Sequence, residues 1–194
     1  MVTRGRVKAL RTLVLALPFL AVACGEQGAT LTGDSLVVTP CDDGRSLVMA
    51  PVDMSFDRLE WLRNSDDVGM LYIRQGWRDP TISNAVSVQF LDLPALLEAR
   101  RLSPGTPLPM EGLARVTLTL EARCPDAVQP LEARTGTLTL SQIDLLPAGR
   151  IAGTVHFDLL DQRADPSAPP AGLNLTLTFS KDLNDKDPLT GWGR

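Results

Sequence analysis

A single histidine, His156, leaves a histidine-based acid–base scheme one candidate and rules out any site built on a pair of histidines. Aromatic residues make up only 5% of the chain, with one tyrosine, so a base-stacking nucleic-acid surface has little to draw on. There is no Gly-x-Ser-x-Gly elbow, no Cys-x-x-Cys pair and no glycine-rich phosphate loop, which removes the usual footholds for hydrolase, redox and nucleotide chemistry. No apolar run approaches the roughly 20 residues that a membrane-spanning helix needs.

What is there begins at the amino terminus. Arg4, Arg6, Lys8 and Arg11, with no acid among them, precede an apolar run over 13–23 broken only by Pro18. A basic segment followed by about 11 apolar residues reads as a secretory signal peptide over 1–23. Without those four cations the rest of the chain carries 15 Lys and Arg against 23 Asp and Glu, a net charge of −8. That balance argues against nucleic acid and anionic headgroups as partners.

The run ends in Leu20-Ala21-Val22-Ala23-Cys24, which resembles the lipobox of bacterial lipoproteins, with the leucine one place further from the cysteine than in the commonest form. The resemblance implies cleavage before Cys24, a lipid on that cysteine, and a membrane as the first partner. Gly25, in the place that enteric sorting reads, is similar to an outer-membrane address. The lesser alternative is that Ala21-Val22-Ala23 is an ordinary small-x-small cleavage site that would release a soluble chain with Cys24 incidental.

Cysteine arithmetic favours lipidation. Cys24, Cys41 and Cys124 are an odd set for an exported chain, and a lipid on Cys24 leaves Cys41 and Cys124 to pair in an oxidising compartment. That disulfide would close a loop of about 80 residues and add about 4 kcal/mol in the chain-entropy picture.

Residues 24–34 are small and polar and read as a tether, 35–181 as one domain, and 182–194 as a polar tail. The domain's strongest signal is alternation. Val86, Val88 and Phe90 alternate with Ser87 and Gln89, and Val116, Leu118, Leu120 and Ala122 with Thr117, Thr119 and Glu121. Leu138 and Leu140 alternate with Thr137 and Thr139; Val155, Phe157 and Leu159 with Thr154, His156 and Asp158. Leu173, Leu175, Leu177 and Phe179 do the same against Asn174, Thr176 and Thr178. Each pattern predicts a half-buried strand. Further strands are expected near 36–39, 47–53 and 70–75, while Phe56, Leu59, Trp61 and Leu62 fit neither period. Residues 92–101 predict a short helix capped by Asp92, with Pro94 in its first turn. The predicted fold class is all-β, an antiparallel β-sandwich or partly closed barrel with one short helix. The parity of 116–120 turns Cys124 inward, and 161–172, rich in proline, is an expected exposed connection. The stretches MLYIRQG (70–76), SVQFLD (87–92), GTLTL (136–140) and GRIAGTV (149–155) resemble envelope lipoproteins of myxobacterial type. These are strand and turn patterns, and they bring no activity with them.

Candidate chemistry is sparse. His156 points outward by parity, and Asp158 on the same face is placed to orient its ring, but a nucleophile would have to come from elsewhere. The simpler reading is a solvated strand histidine. The run from Asp182 to Asp187 begins like a calcium loop, yet has Asp187 at the sixth place and Gly193 at the twelfth, where glycine and glutamate belong. Asp42-Asp43 and Asp66-Asp67 read as turn residues, and no pair among 23 acids can be singled out as a glycosidase couple. Trp61, Trp77 and Trp192 are possible stacking surfaces, with core packing the better reading for Trp61 beside Leu59 and Leu62. Asn174-Leu175-Thr176 matches a glycosylation acceptor by chance. No catalytic residue, metal or cofactor is assigned. The reading is a membrane-anchored envelope lipoprotein acting as a non-enzymatic binding or structural module with an envelope protein or glycan as partner. The alternative is an envelope hydrolase using carboxylates or a bound metal.

Overall fold

The computed structural model describes residues 27–38, 47–76, 84–120, 131–133, 135–146, 148–160 and 170–183. Cys24, Cys41, Cys124, Asp42, Asp43, Trp77 and Trp192 lie outside them.

Among the described residues the fold is all-β with one helix, built as two antiparallel sheets that do not close into a barrel. In the larger sheet, β8 (Leu108–Pro109), β11 (Gly136–Ile143), β12 (Arg150–Leu159) and β13 (Gly172–Asp182) lie side by side. β1 (Gly28–Gly33) and then β4 (Val52–Phe56) continue from most of β13, and β2 (Ser35–Val38) and β3 (Leu47–Met49) continue from its first residues. The smaller sheet runs β10 (Leu131–Ala133), β9 (Ala114–Thr119), β7 (Ala85–Phe90), β6 (Gly69–Arg74), β5 (Arg58–Arg63).

Alternation explains both layers. Leu138 and Leu140 of β11, Val155 and Phe157 of β12, and Leu175, Leu177 and Phe179 of β13 are buried. They face Val86, Val88, Phe90, Val116 and Leu118 from the smaller sheet in one continuous core. At about 25 cal/mol per Å² of apolar surface this burial is the main force holding the sheets together. The sheets exchange strands at two corners. β4 passes through Asp57 into β5, which touches β1 and β13, and Glu132 of β10 bridges Leu160 just past the end of β12.

Helix α1 (Leu93–Leu102) forms where expected. The Asp92 carboxylate accepts a hydrogen bond from the Ala95 amide at 2.9 Å, Pro94 sits in the first turn, and Leu93 and Leu96 are buried. Arg100 donates to the Ser141 carbonyl at 2.6 and 3.2 Å and pins the helix to β11.

The structure departs from four expectations. Residues 28–33, expected in the tether, form β1, seated between β13 and β4 with five paired residues on each side. Only Ala29 and Leu31 face inward there, too few positions for the alternation to stand out among glycines. Phe56, Leu59 and Trp61 fit no single period because they belong to strands of different sheets, and the turn at Asp57 resets the parity between them. Leu173, expected inside, is 40% exposed, because Asn174 takes a left-handed conformation (φ 51°) and shifts the alternation by one residue. Strand β13 also runs through Asp182, and Leu183 is buried, so the sheet extends into the segment expected to be a tail.

Candidate functional site

The outer face of the larger sheet is where polar side chains gather. Register places Thr137, His156, Thr176, Thr32 and Asp53 in one row across β11, β12, β13, β1 and β4. The next row is Thr139, Thr154, Thr178, Thr30 and Ser55. Neighbouring strands lie about 4.8 Å apart, and side chains two residues apart share a face. The result is a hydroxyl array, seven of its ten positions threonine. Threonine suits the position because its branched carbon fits the pleat while its hydroxyl meets water.

At the end of the first row the face opens into a cleft of about 420 Å³, with Thr135, Thr137, His156, Asp158, Asn174 and Thr176 among its lining residues. Two local irregularities shape it. Gly136 opens β11 at φ 144°, where an added methyl would collide with the His156 carbonyl oxygen, so the two strands can approach closely only with glycine there. Asn174 is held in its left-handed conformation by two bonds. Its amide donates to the Asp158 carboxylate at 2.7 Å, and its side chain donates to the Asp34 carboxylate at 2.5 Å.

His156 is exposed, as its parity predicts, but its partner differs from the expected one. Its Nδ1 lies 2.9 Å from the Thr176 hydroxyl, while Asp158 is engaged by the backbone of Asn174. The histidine is thus tied across the strand pair, and Asp158 serves the bulge. Thr176, Asn174 and Asp34 are the site residues that sequence reading did not select. The clue for Thr176 was its place two residues after Asn174, on the same face, but which residue of β12 it opposes follows only from register.

The remaining candidates are dispersed. Asp66 pairs with Arg63 at 3.0 Å in the turn between β5 and β6, and the Ser65 hydroxyl accepts from the amides of Asp67 and Val68. Asp182 pairs with Arg150 at 3.4 Å at the opposite end of the larger sheet from the cleft. Trp61 is buried, its ring 5.8 Å from that of Phe90, and lies over Gly69, where a methyl group would displace it. Among the described residues no three His, Cys, Asp or Glu side chains gather as metal ligands, and no helix is long and apolar enough to cross a membrane.

No family model matches the chain, no curated protein matches its sequence, and no solved structure matches its fold.

Proposed function

We propose that the protein is an envelope lipoprotein, anchored by a lipid on Cys24 and stabilised by a Cys41–Cys124 disulfide, whose β-sandwich is a non-enzymatic binding module for a neutral envelope glycan. The observation that carries the reading is the hydroxyl array with its open cleft. Threonine hydroxyls, Asn174 and the exposed carboxylates offer donors and acceptors that match sugar hydroxyls, and their backbone belongs to a continuous sheet, so little ordering is lost on binding. A net charge of −8 after removal of the leader disfavours an acidic polymer.

The test is a photo-crosslinking residue at Thr137, with a second at Ser87 on the opposite outer face, in intact cells. Adducts that form from Thr137, are removed by glycan-degrading enzymes and are absent from Ser87 are the expected result. Protein adducts from Thr137 would replace the glycan by a protein partner, and equal adducts from both positions would refute a dedicated face. Alkylation without reduction, followed by mass spectrometry, should find neither Cys41 nor Cys124 modified.

One observation favours the hydrolase alternative. A hydroxyl 2.9 Å from an imidazole nitrogen, inside a cleft, is the separation of a nucleophile from its base. Ordinary cross-strand pairing on one face of an antiparallel sheet produces the same contact. Incubation of the purified protein with the crosslinked glycan separates the two: a hydrolase releases shortened glycan and loses that turnover in His156→Gln, whereas a binding module releases no product in either form.

A further inference from the structure

Strand β1 begins at Gly28, four residues after Cys24. Four residues span at most about 14 Å when fully extended. The strand itself rises about 17 Å from Gly28 to Gly33. An anchor at Cys24 therefore cannot reach past the far end of β1, and β1 is held in place by β13 on one side and β4 on the other.

The Gly28 end of the larger sheet carries a second feature. Gly28 lies opposite Ser180, and Ser180 opposite Ala152; two residues earlier in β12, Arg150 opposes Asp182. The hairpin joining β11 to β12 projects beyond that row. It is held by bonds from the Asp144 amide to the Arg150 carbonyl (2.9 Å), from the Gly149 amide to the Leu146 carbonyl (2.8 Å), and from the Leu146 amide to the Asp144 carboxylate (3.1 Å). The Leu183 amide adds a bond to the Gly149 carbonyl at 2.8 Å. On this braced tip Leu146 is 69% exposed, more than any other large apolar side chain among the described residues. The exposed Val37, Val48, Leu160 and Leu173 belong to the other end of the strands.

We infer that the lipid bilayer lies against the Gly28 end of the sandwich, with Leu146 at the hairpin tip in contact with the lipid interface and the His156 cleft turned away from the membrane. This rests on lipidation of Cys24. The short reach from Cys24 brings this end to the bilayer, and an exposed leucine gains by leaving water for the interface. His156 opposes Thr176, and Thr176 opposes Thr32, four residues beyond Gly28 along β1. The cleft is accordingly separated from the anchored end by most of the strand length and is open to a partner that approaches from the aqueous side.

The test uses the full-length protein, processed and purified from membranes, with a fluorescent amino acid introduced at Leu146, Ala148 or Thr137. Each form is reconstituted into phosphatidylcholine vesicles containing brominated phosphatidylcholine. Expected is a blue shift and several-fold stronger quenching at 146 and 148 than at 137. Acylated, vesicle-bound protein quenched equally at all three positions, or most at 137, lies on its flank or inverted and overturns the orientation alone. An intact mass showing Cys24 without acyl groups overturns the anchoring, and the orientation with it.

Discussion

The two sheets treat their outer faces in opposite ways. The larger sheet presents uncharged hydroxyls in rows, with its charges kept to the margins, at Asp53, Asp34 and Asp158 and in the Arg150–Asp182 pair at the end away from the cleft. The smaller sheet carries Glu60, Tyr72, Ser87, Thr117 and Glu132 in one row and Arg58, Arg74, Ala85 and Thr119 in another. There the charges answer one another: Arg74 pairs with Glu60 at 2.8 Å and Arg115 with Glu132 at 2.9 Å, and the Glu132 side chain is only 9% exposed. The smaller sheet's charged groups are occupied by each other, whereas the larger sheet's hydroxyls are turned to water. That difference is why the binding proposal rests on the larger sheet.

The two faces lose their distinction most completely if the sheets part. Trp61 is the largest side chain on the smaller sheet's inner face, packed against Phe90, and Trp61→Ala should cost about 3–5 kcal/mol. Urea unfolding followed by far-UV circular dichroism measures it, and a loss below about 1 kcal/mol would mean that Trp61 is not part of the common core.

A double-mutant cycle sharpens the contrast between faces. Arg115 and Glu132 should show a coupling of about 1–2 kcal/mol, since a nearly buried carboxylate loses its charged partner. The Thr154–Thr178 pair on the other face should couple by less than about 0.5 kcal/mol. Equal couplings would erase the distinction between a self-satisfied face and an open one.

The corner joining the sheets should respond to acid through Asp57. The Gly76 amide donates to the Asp57 carboxylate at 2.7 Å and holds that carboxyl below its ordinary value. A carboxyl whose folded pKa is depressed adds stability above its unfolded pKa of about 3.9 and loses it as pH falls through the folded value. Wild type should therefore exceed Asp57→Asn in melting temperature at pH 7, and the gap should narrow as the pH falls below the unfolded value and through the depressed folded one. A gap that does not change with pH would show that the charge is irrelevant to the corner. The smallest effect is expected from Thr154→Val, within about 0.5 kcal/mol in stability, with reduced crosslinking from Thr137 if the array binds. Unchanged crosslinking yield would restrict the site to the cleft.

Much of the architecture is legible in the sequence. The strands β7, β9, β11, β12 and β13 and the helix after Asp92 announce themselves, because long alternating or capped segments depend on local neighbours alone. Other elements are not. β8 is two residues long and β10 three, and neither length can show a period. β1 hid among glycines, and Leu173 took the wrong side because one left-handed Asn174 moved the register. Of the site, His156 and its outward direction could be read from parity, but its partner could not. Asp158 was the nearer residue in sequence, and Thr176 the nearer in space.

The fold class, most strand faces and the scarcity of catalytic residue types follow from the residues alone, since side-chain period and composition are properties of the chain read locally. Strand pairing in space is what sets three Thr-x-Thr segments, at 30–32, 137–139 and 176–178, beside Thr154 and His156 on one face, and what starts β1 within four residues of Cys24. Those facts depend on which strands pair and in what register, a choice made by burial of the shared core between residues more than a hundred positions apart.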